Sequence, residues 1–160
     1  MLTDLKLFKG LISIPSLETA EGRALIDAVI EEREPEILTD LIGTEEYERL
    51  KNLDLNAPET AQEDKDLISR LANISAHFCW YWFSRENNSY LAAGGTTRVN
   101  NENATNVDPL EKQVLVWNKL NYHIFDIKHG IAFNCELPQI EVFRKSNIRT
   151  KYAKINTLNI

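Results

Sequence analysis

Residues 67–83 read LISRLANISAHFCWYWF, and this stretch decides the fold class. Large apolar side chains recur in it every three or four residues, which is the period of an α-helix with one face on a core. They are Leu67, Leu71, Ile74, Phe78 and Trp82. The last six residues are apolar on every side of the predicted helix. We therefore expect other elements to cover this turn on more than one side.

A second stretch has the same period and follows a helix-start signal at Asp108 and Pro109. Its apolar residues are separated by 4, 3, 3, 4, 3 and 4 positions. They are Leu110, Val114, Trp117, Leu120, Ile124, Ile127 and Ile131. This spacing predicts a second long helix with one continuous apolar seam facing the core.

Three shorter helices are predicted upstream of these two. Their limits are residues 18–33, 36–42 and 44–52, and the long helix with the aromatic run spans 59–86. Ser16 or Thr19 can cap the first helix, and Pro35 is expected to stop or kink it. Gly43 suits the end of the second helix because glycine tolerates the backbone conformation common there.

Residues 87–109 interrupt the helical pattern with Gly94-Gly95 and six asparagines. A short β-hairpin across the glycine pair is one interpretation of this long loop. Its strand residues would be Tyr90, Leu91, Thr96, Thr97 and Val99.

The two ends of the chain lack a helical period. Ile14 precedes Pro15, which disfavours helix there, so residues 1–17 are predicted as an N-terminal extended segment. Residues 134–160 mix β-branched and basic side chains and are predicted as an extended C-terminal arm. The predicted fold is therefore mainly α, a bundle of about four to five helices in residues 18–133 with a long loop or small β-hairpin.

Composition indicates a soluble globular protein of one domain. The chain has 160 residues, of which 43% are hydrophobic and 26% charged. No apolar run approaches the roughly 18 residues of a membrane helix. The start, MLTDLKLFKG, lacks the cleavage site of a signal peptide, so synthesis and folding in a cytoplasm are expected. Cys79 is predicted to be buried, and a disulfide with Cys135 is the less favoured alternative.

Charge is distributed unevenly along the chain. Residues 1–66 hold 17 acidic and 7 basic side chains, a net charge of −10. Residues 134–160 hold 2 acidic and 5 basic side chains, a net charge of +3. An acidic front half argues against tight nucleic-acid binding by that surface, because phosphate affinity comes from cationic contacts. A basic arm is different, since it usually has an acidic partner.

We find no pattern typical of catalysis, and we expect no enzyme activity, no cofactor and no metal. His77, His123 and His129 lack metal-ligand spacing. The carboxylate pairs are predicted to be solvated charge rather than acid–base pairs. They are Glu31-Glu32, Glu45-Glu46 and Asp64/Asp66.

Two segments carry a resemblance to a known family. Residues 30–52, IEEREPEILTDLIGTEEYERLKN, pass from an acidic helix through a leucine-rich turn to Gly43 and a short helix with Tyr47. Residues 76–121 join an aromatic helix ending in Arg-Glu-Asn to a Thr/Gly-rich loop and a helix bearing Trp-Asn. In these features the chain resembles the head–tail connector (adaptor) proteins of tailed bacteriophages of the crAss-like or related Bacteroidetes type.

The resemblance implies a structural protein of the virion neck, made in the host cytoplasm. It implies a ring of identical subunits, commonly twelve, beneath the portal protein and in contact with other neck or tail proteins. DNA would pass through the ring without specific binding. The family has no catalytic residues to carry over.

Candidate contact residues follow from this interpretation. Those for the subunit interface are Trp80, Tyr81, Tyr90, Leu91 and Arg98. Those for docking on the portal or another partner are Phe143, Arg144, Lys145, Arg149, Lys151 and Tyr152. The alternative is a small helical regulatory or nucleic-acid-binding protein that uses the same basic, aromatic arm.

Overall fold

The computed structural model describes residues 1–55, 57, 60–93 and 109–134. Within them the chain forms four α-helices, which are α1 (Ala20–Ile42), α2 (Thr44–Lys51), α3 (Gln62–Ala93) and α4 (Pro109–Asn134). Three 3-10 turns precede α1, at Leu5–Leu7, Gly10–Ile12 and Pro15–Glu18. The described residues hold no β-strand, and the predicted mainly α fold is confirmed. None of the described helices is long and apolar enough to cross a membrane.

The first helix, α1, is continuous where the sequence predicted two helices. It runs through Pro35, which removes one backbone N–H from the helical hydrogen bonds. The predicted break is wrong because one buried face continues across the proline. That face consists of Ile26, Ile30, Glu34, Ile37, Leu38 and Leu41. The hydroxyl of Thr39 also donates a hydrogen bond of 2.6 Å to the Pro35 carbonyl, within the same helix.

Thr19 and Gly43 mark the two ends of α1. The Thr19 hydroxyl accepts a hydrogen bond from the Gly22 N–H at 3.0 Å, so Thr19 rather than Ser16 is the cap. Gly43 has a φ of 82° and separates α1 from α2. Residues with a Cβ rarely adopt this φ, which explains why a glycine ends the helix, as predicted.

The third helix, α3, extends beyond its predicted end at Glu86 to Ala93. Tyr90 and Leu91, predicted as the first strand of a hairpin, are helical. The hairpin prediction is wrong for these residues because neither glycine nor proline interrupts the chain before the Gly94-Gly95 pair. The second predicted strand lies outside the described residues.

The fourth helix, α4, begins at Pro109 as predicted and ends at Asn134. It continues through Gly130, although glycine is unfavourable inside a helix. Asn134, the first residue assigned to the C-terminal arm, is therefore helical. The rest of the predicted arm, residues 135–160, lies outside the described part of the chain.

The N-terminal 17 residues are irregular, as predicted, but they pack on the helices instead of forming an extended segment. Their three 3-10 turns place Phe8, Ile12 and Ile14 in contact with α1, α3 and α4, where all three are buried. Gly10, with a φ of 61°, allows the chain to turn between these residues. The segment folds back because packing its apolar side chains against the helices removes them from water, which lowers the free energy of the folded chain.

The core consists of two apolar clusters, and α3 contributes to both. The first cluster joins α1, α2, α3 and α4, and includes Ile37, Leu38, Leu50, Leu71, Phe78 and Leu120. The second cluster joins the N-terminal segment to α1, α3 and α4, and includes Ile26, Ile30, Cys79, Trp80 and Val116. Because α3 packs against both α1 and α4, it is the central element of the bundle.

A buried carboxylate connects the N-terminal segment to α1 and α2. Glu34 is completely buried in α1. Its two oxygens accept hydrogen bonds from the backbone N–H groups of Leu2 at 2.8 Å and Thr3 at 2.7 Å. The Tyr47 hydroxyl of α2 donates a third at 3.1 Å. Burial and the neighbouring Glu34 carboxylate raise the pKa of Tyr47, so Tyr47 remains a donor over the whole physiological range.

We predict that Glu34→Gln lowers the free energy of unfolding by about 1–3 kcal/mol, because an amide offers one acceptor oxygen where the carboxylate offers two. One of the three donors then remains buried without an acceptor. Urea denaturation of the full chain measures the change. Glu31→Gln, an exposed position on the same helix, is the matched control and should change stability by less than about 0.5 kcal/mol. Equal stability of the two variants would contradict the role given to Glu34.

Candidate assembly surface

The aromatic turn of α3 lies at the centre of the molecule and is covered on several sides. Phe78 and Trp80 are buried, whereas Tyr81, Trp82 and Phe83 are partly exposed. The N-terminal segment covers one side, α1 a second and α4 a third. The expectation that this turn needs several neighbours is therefore confirmed, and most of its apolar area is used within the chain.

The ring of Trp80 is covered by the chain itself. It is only 5% exposed and packs in the second core cluster. Its indole N–H donates a hydrogen bond of 3.4 Å to the Ser13 carbonyl, and the Lys112 Nζ lies 4.9 Å from its ring centroid. The helix period placed Trp80 away from the main apolar stripe. The sequence prediction of an interface residue is corrected because the N-terminal segment covers that second face of the helix.

Tyr81 packs between α3 and α4 and keeps part of its surface exposed. Its ring centroid lies 4.6 Å from that of Trp117, and the Arg85 guanidinium donates a hydrogen bond of 3.2 Å to its hydroxyl. Tyr81 remains a predicted interface residue. Tyr90 and Leu91 lie in the last turns of α3 instead of in a strand.

The other predicted contact residues lie outside the described part of the chain. They are Arg98 in the loop and Phe143, Arg144, Lys145, Arg149, Lys151 and Tyr152 in the arm.

Arg33 connects α1 to the aromatic turn of α3. Its guanidinium lies 4.6 Å from the Trp82 ring centroid and 3.2 Å from a Glu86 carboxylate oxygen. It also pairs with Glu36 at 3.3 Å and Glu32 at 3.1 Å. Burial lowers the pKa of Arg33, but the hydrogen bonds to Glu36 and Glu86 outweigh it and raise the pKa overall. The ion pair and the stacked ring together hold the two helices in register.

A similar network of ion pairs joins α2 to the start of α3. It shows that one of the sequence predictions was wrong. Arg49 pairs with Glu46 and with Asp64, each at 2.7 Å. The hydrogen bond from Arg49 lowers the pKa of Asp64. Glu46 and Asp64 were predicted to be solvated charge, but both contact the Arg49 guanidinium. Helix packing brings Asp64 to Arg49, which lies 15 positions earlier in the chain. The network is partly exposed, so its contribution to stability is modest.

Two histidines from different helices meet in the fold. The ring centroids of His77 in α3 and His123 in α4 lie 5.0 Å apart. His77 is buried, and its Nδ1 lies 2.8 Å from the Asn73 carbonyl oxygen. Burial, followed by the nearby Lys119 charge, lowers the pKa of His77. Among the described residues, no group of three or more potential ligands could hold a metal ion.

Cys79 is buried, as predicted, and burial raises the pKa of its thiol to about 12. Its sulfur lies 3.7 Å from the Ser75 hydroxyl oxygen. A thiol of this kind is unreactive near neutral pH. The alternative of a disulfide involves Cys135, which lies outside the described residues.

The outward face of α4 carries exposed apolar side chains that the sequence did not predict. The predicted seam is buried at Val114, Leu120 and Ile124, but Leu110 at its start is 49% exposed. Three large side chains on the opposite face are about half exposed, namely Leu115, Tyr122 and Phe125. Their spacing of 7 and 3 could have identified a second stripe. We call these three residues the α4 stripe.

Comparison with known proteins finds no matching family model, no matching curated protein and no matching solved structure.

We predict that Trp117→Ala destabilises the protein by about 3 kcal/mol, the lower end of the range for large aromatic side chains. Trp117 packs on Tyr81 and against the first core cluster but is partly exposed. Thermal denaturation followed by circular dichroism measures the loss. Tyr122→Ala, an exposed aromatic on the same helix, is the control and should cost about 0.5 kcal/mol or less in the monomer. A melting temperature equal to the parent's would contradict the packing described for Trp117.

His77 makes stability depend on pH. Because its folded-state pKa lies below the ordinary 6.5, the neutral ring stabilises the fold above that value. This contribution declines as the pH falls below 6.5 and is lost once the pH passes the lower folded-state pKa. Melting temperatures between about pH 7.5 and pH 5 should therefore drop more for the parent chain than for His77→Gln. Parallel pH profiles for the two proteins would show that His77 is not the titrating group.

Proposed function

We propose that this chain is a structural subunit of a homo-oligomeric ring, the head–tail connector of a tailed bacteriophage. In this role it sits beneath the portal protein in the virion neck, contacts other neck or tail proteins, and lets DNA pass through a central channel. The observation that carries the proposal is the α4 stripe, three large apolar side chains on one helix face that are each about half exposed. Such a surface is typical of a protein–protein contact.

The packing of the two family-like segments supports the proposal. Residues 30–52 form the second half of α1 and all of α2, and residues 76–121 include the whole aromatic turn of α3 and the first half of α4. Arg33 of the first segment contacts Trp82 and Glu86 of the second. The described helical parts of the two segments thus belong to one packed unit, as they would in a shared subunit fold.

The distribution of charge is also compatible with a channel for DNA. Residues 1–66 carry a net charge of −10, and exposed carboxylates occur along α1 and α2. An acidic surface facing DNA repels the phosphates and prevents tight binding, so the duplex can slide. The basic residues of 134–160 would then serve an acidic protein partner, such as the portal or a neighbouring ring.

A ring also requires a particular kind of interface. Each subunit must offer two different surfaces, so that the contact repeats around a rotation axis and closes. Twelve copies is the number that the family resemblance implies. An extended α4 face and a separate acidic α1 face give the subunit two chemically distinct surfaces.

We predict that the purified full-length chain forms a closed oligomer with a mass that is an integral multiple of 18.4 kDa. The physical reason is that burying the α4 stripe on another copy removes apolar surface from water. Light scattering gives the mass, and electron microscopy of the same sample shows whether the copies form a ring. Mass spectrometry of virions from the phage that encodes the chain should detect it as a component.

A chain that is monomeric at all concentrations and absent from virions would contradict the connector proposal. Salt-dependent binding of duplex DNA would favour the nucleic-acid-binding alternative instead, provided that changing Arg144, Lys145, Arg149 and Lys151 to Ala abolishes it.

A further inference from the structure

The first 14 residues of the chain occupy a groove formed by α1, α3 and α4. We call residues 1–14 the strap. Its buried apolar side chains are Phe8, Ile12 and Ile14. The groove residues that share a core cluster with them are Ile26, Ile30, Ala76, Cys79, Trp80 and Val116. Two backbone N–H groups of the strap donate to Glu34, and its Ser13 carbonyl accepts from Trp80.

The first core cluster does not depend on the strap. All its buried residues belong to α1, α2, α3 and α4, and the strap reaches it only through the partly buried Leu2. Backbone hydrogen bonds inside the strap are local, such as those from Phe8 to Leu5 and from Ser13 to Gly10. A segment with local bonds and a separate share of the core can open while the rest of the protein stays folded.

The polar contacts of the strap can be replaced by water when it opens. The N–H groups of Leu2 and Thr3 contact both carboxylate oxygens of Glu34, so their departure admits water to the same oxygens. Tyr47 of α2 remains as a donor. The Thr3 hydroxyl is buried and has no hydrogen-bond partner among the described residues, and in water it gains one. Opening therefore leaves no stranded charge.

A short surface hinge folds the strap back onto its own chain. The hinge consists of residues 15–19, four of which are exposed. Gly22 of α1 lies so close to Ser16 that a Cβ at position 22 would overlap the Ser16 carbonyl oxygen. The Arg23 side chain donates a hydrogen bond of 2.9 Å to the Leu17 carbonyl. If the strap docks on another copy, these hinge contacts change while the groove contacts stay the same.

We propose that the strap is exchangeable, so that it leaves its own groove as one unit and docks in the same groove of a second copy. The fit described above identifies this occupant, because every copy carries the side chains and backbone groups that the groove binds. The charged residues of the strap, Asp4, Lys6 and Lys9, are exposed, so docking buries no charge. The exchange needs only two copies and goes beyond the proposed ring, in which a neighbouring groove would always be close.

A fluorescent peptide of residues 1–14 tests the groove of the full-length chain. In Ile12→Asp a carboxylate replaces a side chain that is 3% exposed, so the chain's own strap cannot dock and its groove is open. Fluorescence anisotropy should show peptide binding at least about tenfold tighter than to the parent, whose own strap competes at high effective concentration. Leu11→Asp is the matched control. Leu11 lies in the same turn but is 38% exposed, so this variant should bind like the parent.

A second variant tests the hinge without changing the strap or the groove residues. The methyl group of Gly22→Ala overlaps the Ser16 carbonyl and so disfavours docking of the chain's own strap. This variant should also bind the peptide more tightly than the parent does. A peptide that itself carries Ile12→Asp should bind none of the chains. Circular dichroism of each variant measures whether the helices remain folded.

Each contrary result overturns the exchange. Loss of helical structure in Ile12→Asp would show that the bundle does not fold without the strap. Equal peptide affinity of Ile12→Asp and the parent would show that the groove accepts no second strap. A Gly22→Ala chain that binds like the parent would show that the hinge does not hold the strap in place. None of these results bears on the proposed ring, which is tested by the mass of the oligomer and by the composition of virions.

Discussion

The structure depends on one buried carboxylate. Glu34 has no exposed surface, and a charge in that position is stable only because three donors surround it. Two of these donors come from the N-terminal segment and one from α2. The same side chain therefore holds Leu2, Thr3 and Tyr47 to the middle of α1. With these hydrogen bonds in place, the N-terminal segment can cover the aromatic turn of α3.

The position of the N-terminal segment in turn decides which surfaces remain for other proteins. It buries Trp80, the most prominent candidate for an interface in the aromatic turn. Arg33 and Glu86 then occupy the side of α3 next to Trp82, and α4 occupies the side next to Tyr81. Within the described residues, exposed large apolar side chains then occur on the outward faces of α4 and α1, and also at Met1, Leu11 and Leu55.

Much of the fold follows from residue spacing. The apolar period of Leu71, Ile74 and Phe78 predicted α3, and Asp108-Pro109 predicted the start of α4. Gly43 was expected to end a helix and does so with a φ of 82°. The errors in the helix limits have different causes. Pro35 lies inside α1 because buried residues on both sides hold the helix together, and Tyr90 is helical because the helix-breaking glycines come only after Ala93.

The sequence by itself determined that the chain is mainly helical, that α3 carries the principal apolar face, and that Cys79 is buried. These properties depend on side chains close together along the chain, where helical geometry relates spacing to direction. Only the tertiary structure decided that Glu34 binds the N-terminus, that His77 meets His123, and that Trp80 is covered while Leu115 and Tyr122 are exposed. Each of these depends on which helix face meets which neighbour. Spacing within one helix cannot specify that choice, because it shows that a face is apolar without identifying the surface that covers it.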